Sequence, residues 1–392
     1  MLADFLDNFL HNLFKPLLLF FYMGFAIPIL RVPFEFPHVI YQGLTMYLLI
    51  SIGWHGGEEL ATLDAAAAQQ AVGFMVIGFI MNFVIGILAY VILRKATRIR
   101  NIDAATVAGY YGSDSAGTFV TCLGVLTAGN IAYAAYMPVM LAVMEIPGCL
   151  VALYLVSRLR ETGMDSLGNM PYEAEYNHQA ANGNGNGNGN GNGGHGEHGP
   201  AHKSGGNGGR KGIFNAQLLH EVFLNPGLYL LFGGIIIGYV SRLQGEAVTI
   251  ADDLLFVKLF QGMLCLFLLE MGMTACKRLR DLQTAGWPFI AFAIIGPNVF
   301  ATMGIITAHA YSMFLGVPFD KGTYALFAVL CGAASYIAVP AVQRLAIPEA
   351  SPTLPLAASL GLTFSYNVTI GIPVYLIITG EVLKAFPVGA PL

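Results

Sequence analysis

Residues 109–118 read Gly109-Tyr110-Tyr111-Gly112-Ser113-Asp114-Ser115-Ala116-Gly117-Thr118, a knot of glycines and short hydroxyl side chains around one carboxylate, inside an apolar run from about 104 to 127. A second run of similar character, Cys331-Gly332-Ala333-Ala334-Ser335-Tyr336-Ile337-Ala338-Val339-Pro340, lies in the apolar stretch 321–345. Backbone that leaves a helix is intolerable against lipid and acceptable only where protein buries it or where it lines a cavity. A broken helix offers free N–H groups and a positive dipole end to an anion, and free carbonyls to a cation. These glycines also have a plainer reading, as small residues that let helices pack closely, with Pro340 an ordinary kink. The interruptions occupy matching positions, the fourth apolar segment of one half and the fourth of the next, which favours a paired site.

The rest of the chain places both runs in a membrane. Of 392 residues, 56% are hydrophobic and only 11% charged, too few polar side chains to cover a soluble globule of this size. A hydrocarbon core about 30 Å thick needs about 20 apolar residues per helix. Segments near 15–31, 38–57, 70–94, 104–127 and 131–158 form a first set, and segments near 224–241, 254–276, 286–313, 321–345 and 353–381 a second. The expected fold is therefore all-α and integral to the membrane, ten transmembrane helices in two five-helix repeats, with the fourth and ninth helices broken. Residues 1–160 form the first repeat and 213–392 the second, joined by a flexible linker, 161–212, whose centre, Asn182 to Gly194, is almost pure Asn-Gly.

Charge sets the orientation, because Lys and Arg near helix ends stay in the cytoplasm. The connections after segments 1, 3, 5, 7 and 9 carry Arg31; Arg94, Lys95, Arg98 and Arg100; Arg158, Arg160, Lys203, Arg210 and Lys211; Lys277, Arg278 and Arg280; and Arg344, most of the 19 basic residues. The connection after segment 2 has Glu58, Glu59 and Asp64 and no base. Both termini are expected outside and the linker inside. An odd number of helices per half then inverts the second repeat, the plan of many secondary transporters. Leu48 to Gly53 and Phe267 to Gly272 resemble each other and are expected to end the second and seventh helices. Acids at Asp4 and Asp7, where a secretory leader would be basic, argue against a cleaved signal peptide.

The acids within the spans are Asp114, Glu145 and Glu270, and no Lys or Arg sits deep in a span to neutralise them. Intramembrane acids are functional by default. Each is either protonated and hydrogen-bonded or meets a bound cation, and Asp114, Glu145 and Asn367 are taken as the cation-binding set. Gly112, Ser113, Ser115, Ala116, Gly117 and Thr118, with Ala334, Ser335 and Tyr336, are the substrate-binding set. His55 with Glu58 and Glu59 reads as an interfacial loop, and His178, His195, His198 and His202 as drift in a low-complexity linker. The five cysteines, Cys122, Cys149, Cys265, Cys276 and Cys331, sit in apolar runs without CxxC spacing and read as core residues. No GxSxG, HExxH or Walker pattern is present. The net charge of −4 offers no stripe for nucleic acid.

Several of these runs resemble the sodium-dependent bicarbonate transporters of cyanobacteria and other bacteria. They are Arg100-Asn101-Ile102-Asp103-Ala104, the Tyr111 to Thr118 break, Met144-Glu145-Ile146-Pro147, and Ala334 to Pro340 followed by Ile347-Pro348-Glu349-Ala350. The second break is similar to the broader bacterial branch; the cyanobacterial form has an aspartate where Tyr336 stands. The resemblance implies an elevator-like homotrimer in the bacterial cytoplasmic membrane, with helices 1, 2, 6 and 7 as scaffold and helices 3–5 and 8–10 as moving core. It implies bicarbonate between the broken helices, Ser115 to Thr118 facing Ser335 and Tyr336, sodium as coupling ion and no other cofactor. It also implies a regulator of the PII type on the cytoplasmic side. Asp114 departs from the family, where the position is usually apolar. The alternatives within transporters are a sodium/proton exchanger, which Asp114 favours, and a sodium-coupled organic anion symporter. Outside transporters they are an intramembrane enzyme using Ser115 and Asp114, and a sensor signalling through the linker.

Overall fold

A computed structural model describes residues 14, 16–177, 226–279, 282, 286–337, 339–340, 343 and 346–389. The Asn-Gly run, the linker histidines, Ala338, Arg344 and the orientation-bearing Lys203, Arg210, Lys211 and Arg280 lie outside the described residues. No strand occurs among the described residues, and helix covers part of every segment expected to be helical. The first half holds α1 (Pro16–Leu30), α2 (His38–Leu60), α3 (Ala65–Ala96), α4 (Asn101–Tyr111), α5 (Ala116–Ala128) and α6 (Met137–Glu161). The second holds α7 (Pro226–Leu243), α8 (Glu246–Asp253), α9 (Phe260–Leu279), α10 (Trp287–Leu315), α11 (Lys321–Gly332) and α12 (Ile372–Ala385). Among the described residues, six helical stretches are long and apolar enough to cross a membrane: Ala67–Ala96, Met137–Glu161, Pro226–Leu243, Glu246–Leu279, Trp287–Leu315 and Leu354–Ala385. The chain is a multi-pass membrane protein, and the exposed apolar row Val72, Val76, Ile80, Phe83 and Val84 along α3 is what a surface facing lipid requires.

Glycine decides the closest helix pairs. On α2, Gly53 and Gly57 press on the carbonyls of Leu231 and Ile235, while Gly234 and Gly238 of α7 press on those of Ile50 and Trp54, so a Cβ at any of the four would overlap backbone. This is a Gly-xxx-Gly face on each partner. Gly24 of α1 and Gly272 of α9 meet Leu269 and Phe21 in the same manner. The resembling runs Leu48 to Gly53 and Phe267 to Gly272 therefore do not end their helices. They lie within α2 and α9, which continue to Leu60 and Leu279, because their glycines are packing positions rather than stops.

Two further stretches differ from expectation. α8 and a π-helical turn, Leu254–Lys258, lead into α9, and Trp54 Nε1 on α2 anchors α8 by donating to Asp253 at 2.9 Å. The final segment is wound as π-helix over Ala357–Phe364 and Asn367–Gly371 before α12. Such winding inserts residues into a helix and recurs at functional sites.

The start of the expected linker is an ordered strap. Asp165 accepts backbone N–H groups from Leu167, Asn169 and Asn177 at 3.0, 2.8 and 2.9 Å. Glu173 accepts from the backbone N–H of Asn101, at the start of α4, at 2.8 Å. Arg100 donates to Asp103, which also takes the Ser351 N–H at 2.7 Å, and Arg160 pairs with Glu349 at 2.8 Å. The Arg100 to Asp103 motif and the Ile347 to Ala350 motif thus form one clamp between the two halves of the chain. An open cavity of about 900 Å³ lies beside it, lined by Arg98, Arg100, Asp103, Glu173 and Ser351 among others.

Candidate functional site

Both half-helices that lead into the breaks are sunk in protein. Every residue of α4 is buried, and so is every residue of α11 after Lys321. A helix that is apolar and buried all round cannot face lipid, so its open C-terminal end is delivered to the interior. The two ends meet, with the Ser335 N–H donating to the Tyr110 carbonyl at 2.8 Å. Gly112 and Gly148 seat the first break against α3 and α6: a Cβ on Gly112 would touch Gly86 and the Asn82 carbonyl, and one on Gly148 would overlap Gly109 and Ser113.

α5 restarts at Ser115, whose Oγ accepts the Thr118 N–H at 3.2 Å and the Thr118 hydroxyl at 2.9 Å. N–H groups in a first helical turn have no intrahelical partner and carry the positive end of the dipole. Onto this turn Tyr336 lays its hydroxyl, packed on Gly117 beside Ser115, with no partner at full hydrogen-bond geometry. Phe267 of α9 closes over Gly117, Tyr41 of α2 stacks on Phe267 with centroids 6.0 Å apart, and Phe364 meets the Tyr336 ring edge-on at 5.6 Å. Ser115, Gly117, Thr118 and Tyr336 are brought together here, with Ser335 one residue away and Ala116 partly exposed. Beyond the far end of α5 a second cavity, about 280 Å³, is lined by Ser51, His55, Leu123, Thr127, Tyr133 and Gln261 among others, while the clamp cavity lies at the opposite end, by the start of α4.

Asp114 turns to the other side of the break. It is 1% exposed, neither carboxylate oxygen has a hydrogen-bond partner, and Glu145 and Cys149 of α6 and Cys331 of α11 lie near it. Ser113 Oγ donates to the Glu145 carbonyl at 2.8 Å and so ties the break to α6. Asn82 of α3, a neutral residue that a search for ionisable groups passes over, donates to the Met144 carbonyl at 2.9 Å. Asn367 is fully buried and committed at both ends: its amide donates to the Gly332 carbonyl at 2.9 Å and its oxygen accepts from Tyr375 at 2.7 Å, so it caps the open end of α11. Glu270, on α9, accepts from Thr274 at 2.6 Å. His55, Glu58 and Glu59 are on α2 rather than in a loop, and no group of three or more His, Cys, Asp or Glu gathers as a metal site among the described residues.

This arrangement holds a dipole end that suits a small anion on one face of a break and an uncompensated carboxylate that suits a cation on the other. A search of curated proteins gives no match. Residues 16–380 match the family described as the Na+-dependent bicarbonate transporter superfamily, a span that takes in both breaks, the strap and the clamp. The chain belongs to the Na+-dependent bicarbonate transporter superfamily.

Proposed function

We propose that this protein imports a small anion, bicarbonate first, coupled to sodium, through ten spans in two inverted halves, residues 1–160 and 213–392. The observation that carries this reading is the contact of the two broken helices, Ser335 N–H on Tyr110 carbonyl, with α5 opening from it. Ser115, Ala116, Gly117, Thr118, Ser335 and Tyr336 line the anion side with Ala334 behind them, Gly112 and Ser113 join it to the turn where Asp114 and Glu145 attract the cation, and Asn367 holds the second break in place. Coupling has a physical purpose: an anion moving inward opposes the membrane potential by about 2.3 kcal/mol per charge per 100 mV, and a co-transported cation cancels that cost.

Helix pairing supports the inverted plan. α1 packs on α9 and α2 on α7, the first and seventh segments and the second and sixth. An exchange of halves turns each pair into the other. These four helices serve as scaffold, and the broken helices with α3, α6, α10 and α12 ride past them as an elevator within a homotrimer. The strap and clamp tie the two halves of that moving core together. The chain sits in a bacterial cytoplasmic membrane with both termini outside, and a regulator of the PII type would meet it on the clamp side.

A second reading, sodium/proton exchange, is favoured by the proximity of Asp114 and Glu145 with no base between them. Uptake of labelled bicarbonate into proteoliposomes separates the two. Symport requires uptake at least about tenfold faster with an inward sodium gradient than with choline. Sodium-driven proton efflux without bicarbonate movement would sink symport in favour of exchange.

A further inference from the structure

On the Glu145 side of the first break three buried oxygen atoms have no hydrogen-bond partner: both carboxylate oxygens of Asp114, and Oδ1 of Asn82. Asn82 is 0% exposed in the middle of α3. Its orientation follows from its one bond. The Met144 carbonyl can only accept, so the amide nitrogen must face it, and the amide oxygen is left as a bare acceptor. Its location follows from its neighbours. Met144 directly precedes Glu145, whose carbonyl holds Ser113, and the backbone carbonyl of Asn82 packs on Gly112. The side chain is thus tied to the turn of α6 that carries Glu145, while the backbone of the same residue lies against Gly112, two residues before Asp114.

Buried acceptors in native proteins are almost always paired, and each exception asks for a reason. Here the orphans are a carboxylate and an amide carbonyl, beside a second acid, and none of the described ion pairs reaches them. Hard cations select that donor set. We infer that Asn82 is a ligand of the coupling cation, completing with Asp114 a site between α3, α6 and α11 that is separate from the anion face at Ser115, Gly117 and Tyr336. The inference rests on the reading that sodium is the coupled ion.

The test is made on the full-length protein in detergent, with sodium titrated against choline while the unfolding temperature is followed, and on bicarbonate uptake in proteoliposomes. Sodium bound to the folded state raises the parent's unfolding temperature by mass action. Asn82→Ala requires at least about tenfold more sodium for the same rise, about 1.4 kcal/mol of sodium binding. Its half-saturating bicarbonate at saturating sodium stays unchanged, which a general loosening of the core would not allow. Because alanine also releases the Met144 carbonyl, Asn82→Ser, which replaces the amide by a shorter hydroxyl, is measured alongside and shifts the titration in the same direction by less, since a hydroxyl oxygen can ligate sodium in part. In the double variant with Asp114→Asn the two effects are less than additive, since they remove ligands from one ion. Sodium titrations of Asn82→Ala or Asn82→Ser that match the parent overturn the inference and leave sodium coupling intact. A parent that responds to sodium no more than to choline in both measurements overturns sodium coupling, and this inference with it.

Discussion

The close approach of Gly117 and Tyr336 sets a constraint that one atom can test. A Cβ on Gly117 would overlap the Tyr336 hydroxyl, while the ring carbon that bears it stands 3.2 Å away, tight but within what a small shift relieves. Gly117→Ala should therefore push Tyr336 off the first turn of α5 and reduce bicarbonate uptake at least about tenfold, an increment of about 1.4 kcal/mol. Removing the offending atom should restore room, so Gly117→Ala with Tyr336→Phe should recover much of the loss. Uptake by the double variant no better than by Gly117→Ala alone would mean that the glycine is needed for something other than this contact. At this scale the sequence offers Asp114 and Ser115 as candidates because a carboxylate and a short hydroxyl stand out in an apolar run, and Tyr336 through the family resemblance; that Ser115 caps α5 needs the fold. Asn82 is not among them, since a lone neutral amide inside Phe79-Ile80-Met81-Asn82-Phe83-Val84 looks like one more residue of a span until its oxygen is found without a partner. Asn367 reads as one of the cation-binding set, and its hold on the end of α11 cannot be read, because its partner Gly332 is distant in sequence and close only in the fold.

Among the elements, the breaks could be read because two interruptions of small and polar residues fall at matching positions, the fourth apolar segment of each half, which close packing alone does not explain. The Gly-xxx-Gly faces of α2 and α7 carry an equally local signal, Gly53 with Gly57 and Gly234 with Gly238, and are missed only if glycine is read as a stop. The strap is different in kind. Its hydrogen bonds run from acids to backbone N–H groups, which no residue pattern announces, so 162–177 reads as the start of a linker. Burial alone would push the Asp165 carboxyl up, but the N–H groups of Asn177, Asn169 and Leu167 outweigh it and hold its pKa below the ordinary carboxylate value. A depressed folded pKa contributes stability above the unfolded value and loses it as pH falls through the folded one. The strap should therefore keep its protection from hydrogen exchange, corrected for intrinsic rate, from neutral pH down to about pH 4 and lose it only below. Asp165→Asn should lose protection over 165–177 already at neutral pH. Protection in that variant equal to the parent's would show that the carboxylate does not hold the strap.

For the whole molecule, the charge pattern and α3 together make orientation a sharp question. α3 has 32 residues, about 48 Å at 1.5 Å per residue, well over the roughly 30 Å hydrocarbon core. Asp64 caps one end, accepting the Ala67 N–H at 2.7 Å, while Arg94 and Lys95 occupy the last turn of the other. A straight helix of that length puts its ends in different aqueous phases, and the proposed orientation, which follows retention of basic residues, has the Arg94 to Arg100 end in the cytoplasm. Thr62 and Arg98 are exposed just beyond the two ends, and four of the five native cysteines are buried, with Cys265 partly so, which keeps background labelling low. In intact cells an impermeant thiol reagent should label Thr62→Cys at once, and should label Arg98→Cys only after the membrane is permeabilised. The reverse pattern would turn the protein over, placing the strap and clamp outside and out of reach of any cytoplasmic regulator. Equal labelling of both positions would mean that α3 does not span. Because α3 joins the scaffold pair to the first broken helix, the inverted ten-span plan would fall with it.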